Sequence, residues 1–306
     1  MNDHLIKAFS ALDSGLRSQS YRKNETFESA LHYLNNESID MPLQVSSDAL
    51  PPIIIIGGPR TGSTFLSQLL ASKLKVGYVS NLMASLYGRP ILGAILQKRL
   101  LSDRIHQLNV FKSIHGVTSN IEEPHEFGYF WSKYLITNTD SHQPESSSSL
   151  PKENFVALNE KLAQIATVFE RPCIMKSSLG CFHAKGMLNH TNAVFISLKR
   201  NIPNMQGSIL KVRKERFGSV EHWWSLKPYG FSRILSLPPE EQVSWQIKQI
   251  LAAQDMFLLK APHRTIEVEF EHLIKDSATI LETIIQFYEK VTGHRIGYSS
   301  FVPEDN

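Results

Sequence analysis

The sequence predicts an α/β protein in three layers, with a central parallel sheet of about five strands and helices on both faces. Three observations lead there. Ile53, Ile54, Ile55 and Ile56 are four β-branched residues in a row, the pattern of a strand buried on both faces. A glycine turn follows at once and opens into an amphipathic helix, in which Phe65, Leu66, Leu69, Leu70 and Leu74 share one face. Four further short apolar runs alternate with helical patterns, as parallel strands joined by crossovers do.

In chain order, the first 50 residues read as two polar-faced helices, closed by a loop rich in Ser, Asp and Pro at Ser46–Pro52. The start, Met1–Leu16, carries Asp3 and Lys7 inside an amphipathic pattern and reads as a helix, with no signal peptide expected. After Ile53–Ile56, strands are expected at Lys75–Val79, Pro172–Lys176, Ala193–Leu198 and Thr265–Phe270, and helices at Phe155–Phe169 and Val243–Leu259. A final helix is expected at Ser277–Val291, with Asp276 placed to cap it. The stretch 140–151, with four consecutive serines, reads as a mobile surface loop. These elements make one domain over 1–306, with a helical segment at 1–50 and a core at 52–291.

Composition narrows the function. The 32 basic and 29 acidic residues nearly balance, so no general field marks a nucleic-acid or membrane-surface protein. The basic run Lys211, Arg213, Lys214 and Arg216 reads as a solvated helix face. Only Cys173 and Cys181 are present, too few for a disulfide framework, which fits a reducing compartment and a cytoplasmic protein. No apolar run approaches the roughly 20 residues of a membrane-spanning helix. No His, Cys, Asp and Glu set has metal spacing, so no metal is expected.

A glycine turn between a buried strand and a helix aims several N–H groups and the positive end of the helix at one spot, which suits phosphate-like anions. Gly57, four residues, Gly62, Ser63 and Thr64 match the nucleoside-triphosphate loop, except that Ser63 stands in the lysine position. Without that lysine, phosphoryl transfer from ATP is disfavoured. Arg60 supplies a cation instead, as a planar fork able to grip two oxygens. A nucleotide-dependent kinase of P-loop type is the alternative reading, and a non-catalytic nucleotide-binding relative is another.

The stretch Pro59-Arg60-Thr61-Gly62-Ser63-Thr64-Phe65-Leu66 resembles the 5′-phosphosulfate loop of the sulfotransferase superfamily, in its soluble bacterial type. Strand Ala193–Leu198, Arg200 and, eight positions on, Ser208 are similar to that family's 3′-phosphate element. Ile266–Leu273 is similar to a third family stretch. The resemblance implies a P-loop-like fold and 3′-phosphoadenosine 5′-phosphosulfate as donor, with adenosine 3′,5′-bisphosphate as product. It implies donor binding by Arg60, Thr61, Gly62, Ser63, Thr64, Arg200 and Ser208, with Phe65 stacking on adenine. The acceptor would be a small molecule, lipid or carbohydrate carrying a hydroxyl or amine.

For catalysis the resemblance implies Arg60 and Lys176, the latter at the end of Pro172–Lys176. Small-molecule relatives carry a catalytic histidine two positions after that lysine, where this chain has Ser178. The base is therefore sought in the titratable cluster His115, Glu122, Glu123, His125 and Glu126, which resembles an acceptor-site segment of other branches. Glu126 or Glu123 is expected to take the proton, with His125 or His183 as alternatives. Phe127, Tyr129, Phe130, Trp131, Tyr134, Trp223, Trp224 and Tyr229 gather in segments expected to flank the acceptor, where they either line a pocket or pack as core. The carboxyl-terminal Arg-Lys-Gly of some relatives is missing.

Overall fold

The computed structural model describes residues 25–36, 41–101, 104–107, 113–136, 141–144 and 150–299. The helix expected at the start of the chain lies outside them, as do residues 140 and 145–149 of the expected surface loop. In chain order the described elements are α1 (Glu25–Asn36), β1 (Ile53–Ile56), α2 (Ser63–Lys73), β2 (Gly77–Tyr78), α3 (Asn81–Ser85), α4 (Pro90–Leu100), α5 (Gly128–Leu135) and α6 (Lys152–Phe169). They continue with β3 (Cys173–Lys176), α7 (Ala184–His190), β4 (Val194–Lys199), α8 (Ile202–Phe217), α9 (Pro239–Lys260), β5 (Thr265–Glu269), α10 (Phe270–Lys275) and α11 (Ser277–Thr292).

The five strands form one parallel sheet in the order β2-β3-β1-β4-β5. The central position of β1 explains its four isoleucines. Ile53 and Ile55 enter a core with Leu66, Leu69 and Leu70 of α2 and Ile284, Ile285 and Tyr288 of α11. Ile54 and Ile56 enter the opposite core, with Phe155, Leu158 and Leu162 of α6 and Ile250 and Phe257 of α9. A strand sandwiched in this way has no polar face to offer, hence the unbroken apolar run. Asp276 caps α11 by accepting from Thr279 N at 3.1 Å, as its position in the sequence implies.

After β1 the chain runs out to the sheet edge at β2, returns beside β1 as β3, and then crosses to the other side of β1 as β4. Loops leaving the carboxyl ends of β1 and β4 thus diverge and open a crevice, the place where open α/β sheets bind ligands. Gln254 of α9 ties these two strand ends together, its Nε2 donating to Ser197 Oγ at 2.8 Å and Leu198 O at 3.0 Å on β4 and directed at Ile56 O of β1 at 3.4 Å. No helix among the described residues is long and apolar enough to cross a membrane.

Two expectations are corrected. Arg213, read as part of a solvated helix face, is fully buried: its Nη1 donates to Gln242 Oε1 at 3.0 Å and its guanidinium lies over Trp223, 5.1 Å from the ring centroid. A guanidinium desolvated this far needs such partners. Of the aromatic candidates, Phe127, Phe130, Trp131 and Tyr134 take the core alternative. His142, inside the expected surface loop, is buried and joined to Lys227 in both directions, its N–H donating to Lys227 O at 2.9 Å and its Nδ1 accepting from Lys227 N at 3.0 Å.

Burial also fixes the charge of two histidines. It holds His183 down at about 4, against the main-chain hydrogen bonds of Leu135 and His142. Burial, Lys227 and His183 together hold His142 at about 3. Unfolding returns both to an ordinary value near 6.5. Below that pH the unfolded chain takes up protons that the folded chain does not, so stability is complete above 6.5 and declines as pH falls toward 4. Urea unfolding between about pH 6.5 and 5.5, before most carboxylates titrate, is expected to lose up to about 1.4 kcal/mol per pH unit for each histidine. A flat profile in that window would show that both rings charge without cost.

Candidate functional site

The site is built on the two loops that leave β1 and β4. In the first, Thr61 Oγ1 donates to Gly58 O at 2.9 Å and closes the turn. Gly62 sits at φ 94°, and a Cβ there would lie 2.2 Å from the Phe270 ring, so only glycine fits. Arg60 also has a positive φ, 67°, a conformation that costs a side-chain-bearing residue of order 1 kcal/mol and that collects at functional sites. The first N–H of α2 to reach a carbonyl is that of Leu66, on Gly62 O at 3.1 Å, and no side chain caps the helix. The preceding N–H groups and the helix dipole thus face the crevice.

The second loop brings Arg200 and Ser208 to the first. Asn201 caps α8, accepting from Asn204 N at 3.3 Å, and so fixes how the helix leaves β4. Arg200 Nη1 donates to Arg60 O at 3.0 Å, while its guanidinium lies over Phe270, 4.7 Å from the centroid. Arg60 Nε donates to Ser208 Oγ at 2.7 Å. Two guanidinium groups from separate strand–loop–helix units therefore stand together. Burial, followed by the like charge of Arg200, pushes the Arg60 guanidinium below its ordinary value, with Glu215 opposing. Arg200 Nε is buried with no hydrogen-bond partner among the described residues. Crowded cations with an unused donor suit an anionic ligand.

A third group lines the other side of the glycine turn. Lys176, at the end of β3 and buried, directs Nζ to Thr64 Oγ1 at 3.0 Å and to Glu126 Oε2 at 3.1 Å. Ser178 N points at Glu126 Oε1 at 3.4 Å, and Trp131 Nε1 holds Lys176 O at 2.8 Å. Burial alone would raise the Glu126 carboxyl; the Lys176 charge, the contacts of Ser178 and Lys176, and His125 outweigh it and bring it below the ordinary glutamate value. Glu126 is thus an ionised carboxylate beside a cation, able to accept a proton.

Glu123 is buried against α2, where it accepts from Gln68 Nε2 at 3.1 Å, and also accepts from the N–H groups of Ser119 and Asn120 at 3.1 and 2.9 Å. His125 Nδ1 accepts from Phe127 N at 2.8 Å. His183 is buried against Phe155. Phe65 meets Phe270 edge-on at 6.3 Å. Thr61, Ser63 and Thr64 are buried within the turn and helix start.

Sequence reasoning passed over one feature. Ile114–Val117 forms a tight hairpin, whose Gly116 O accepts from Thr64 Oγ1 at 3.1 Å and whose His115 Nε2 lies 2.7 Å from Glu215 Oε2. The signal was present: His-Gly between two β-branched residues is the composition of a two-residue hairpin turn. Among the described residues no three His, Cys, Asp or Glu side chains come together to hold a metal ion.

Comparison with known proteins places this geometry in context. The family model described as "Sulfotransferase family" matches residues 51–290. A crystal structure of a sulfotransferase from Mycobacterium avium gives a TM-score of 0.49 at 14% sequence identity, covering 92% of this chain and 76% of the other. Another, from Mycobacterium tuberculosis H37Rv, gives 0.43 at 13% identity, over 87% of this chain and 72% of the other. No curated protein matches.

Proposed function

The chain belongs to the sulfotransferase family, and we propose that it moves the sulfuryl group of 3′-phosphoadenosine 5′-phosphosulfate to a hydroxyl or amine of a small-molecule, lipid or carbohydrate acceptor. The observation that carries the choice of donor is the joining of two anion-binding loops through Arg60 and Ser208, 2.7 Å apart. A nucleotide with anionic groups on both its 3′ and 5′ oxygens has a use for both loops; ATP has a use for one. The crowded guanidiniums and the buried, unpartnered Arg200 Nε fit such a polyanion.

In this reading the N–H groups at the start of α2, with Arg60, Thr64 and Lys176, hold the 5′-phosphosulfate end, and Arg200 with Ser208 holds the 3′-phosphate. The bound nucleotide supplies an activated sulfuryl group. Arg60 and Lys176 place fixed positive charge where negative charge builds as the leaving phosphate departs, which stabilises the transition state more than the ground state. Glu126 accepts the acceptor's proton, and Lys176, bonded to both Glu126 and Thr64, holds that carboxylate next to the glycine turn. Glu123 is not part of this machinery, because Gln68, Ser119 and Asn120 already occupy its oxygens.

Nucleotide preference tests the proposal. Adenosine 3′,5′-bisphosphate is expected to raise the melting temperature of the chain more than ATP with magnesium does at equal concentration.

A further inference from the structure

We propose that the hairpin Ile114–Val117 is a clasp across the mouth of the donor site, that His115 is its positioning residue, and that its role is to keep water from the sulfur during transfer. The inference rests on the sulfuryl-transfer reading above and concerns residues to which that reading gives no role.

The hairpin is fully formed. Ile114 N donates to Val117 O and Val117 N to Ile114 O, each at 2.9 Å, and His115 and Gly116 take positive φ of 53° and 85°. That is the two-residue turn whose twist matches paired strands. Histidine at its first central position is strained relative to Asn or Gly, so the sequence keeps an imidazole here at some cost.

The two tip residues reach opposite sides of the crevice. Gly116 O accepts the Thr64 hydroxyl on the glycine-turn side, leaving Thr64 Oγ1 to accept from Lys176 Nζ at 3.0 Å. The tip thereby fixes the rotamer of a hydroxyl in the donor loop. On the α8 side, His115 Nε2 meets Glu215 Oε2 at 2.7 Å, and Glu215 is also 3.8 Å from Lys211. Glu215 stands seven residues after Ser208, two turns on the same helix face. The hairpin thus bridges the loop that would hold the phosphosulfate and the helix that would hold the 3′-phosphate. Burial holds the imidazole below its ordinary value despite Glu215, and its Nε2 lies 2.7 Å from the Glu215 carboxylate.

Without an acceptor, the competing reaction is hydrolysis. A water oxygen bonds to sulfur as the bond from sulfur to the bridging phosphate oxygen breaks, giving adenosine 3′,5′-bisphosphate, sulfate and two protons. Excluding that water is what a closed site achieves. If the clasp does this, loosening it opens the sulfur to solvent while leaving Arg60, Lys176 and Glu126 in place.

The test uses the full chain as wild type, His115→Ala, Glu215→Ala, Glu215→Gln and the double alanine variant. Glu215 is 40% exposed, so its replacement spares the core, and Gln retains an acceptor for the imidazole N–H. Two readouts are taken: hydrogen exchange at the Ile114 and Val117 amides without nucleotide, and release of labelled inorganic sulfate from the labelled donor without acceptor. Both are expected to rise about tenfold in either alanine variant, the order expected for losing one close polar contact to a carboxylate, and no further in the double variant. Glu215→Gln is expected to stay near wild type. Exchange and sulfate release within about twofold of wild type in both alanine variants would overturn the clasp. Failure of adenosine 3′,5′-bisphosphate to bind the wild type would overturn the donor reading, while the exchange readout, which needs no nucleotide, still judges the contact.

Discussion

Arg60→Ala is expected to lower sulfuryl transfer by about 100- to 1,000-fold, the usual result of removing one preorganised donor aimed at developing charge. The reason lies in its placement. Arg60 follows the central strand, adopts a left-handed backbone at φ 67°, and extends its guanidinium to Ser208 Oγ on the other anion loop. Its removal takes positive charge from the 5′ end of the nucleotide and breaks the bond between the two loops. Arg60→Lys retains charge and loses the planar fork, so its rate should fall between wild type and alanine. Initial rates with labelled donor and a panel of phenols, alcohols, sugars and amines measure this. Unchanged rates in Arg60→Ala would remove Arg60 from the transition state.

Glu126→Gln is the second large effect, a loss of about 100- to 10,000-fold, as expected for a general base. The amide still accepts from Lys176 Nζ and Ser178 N, so geometry and nucleotide binding should persist while transfer does not. Since Lys176, Ser178 and His125 together bring the Glu126 carboxyl below the ordinary value of 4.5, the proposed base is ionised at neutral pH. The sign is that of a depressed acid: the active form is complete above 4.5 and is lost only as pH falls through the lower value that the folded protein imposes. An acid limb near neutrality would point to a histidine in place of Glu126. Near-normal transfer by Glu126→Gln would do the same, as would Glu123→Gln proving the more damaging change.

The sheet was legible because its strands carry one message each. Ile53–Ile56 reads as buried on both sides and is, and the glycine turn, the helix that follows it, and the Asp276 cap are all local signals that tertiary structure did not override. The shortest strand was less legible: of the five residues expected at Lys75–Val79 only Gly77 and Tyr78 pair, because β2 lies at the sheet edge and Lys75 N is drawn to Gly297 O at 2.8 Å. That Arg200 and Ser208 would share one strand–loop–helix unit could be read from spacing.

What the sequence does not carry is the meeting of distant segments. Nothing near Arg213 shows that Trp223 will cover it, so a basic run looked solvated. Glu123 and Glu126 are chemically alike in sequence, yet a difference of three residues sends one to the main-chain N–H groups of Ser119 and Asn120 and the other to Lys176. The pairing of His115 with Glu215 spans 100 positions and has no local signature beyond the His-Gly turn itself.

The most direct measurement of the central claim is nucleotide-dependent thermal stability. With adenosine 3′,5′-bisphosphate at 100 times its dissociation constant, mass action predicts about 2.7 kcal/mol of stabilisation, well above that given by the same concentration of ATP with magnesium. The gain should fall sharply in Arg200→Ala, which removes the proposed 3′-phosphate contact. Greater stabilisation by ATP with magnesium, or a bisphosphate effect indifferent to Arg200, would contradict a donor site built from both loops.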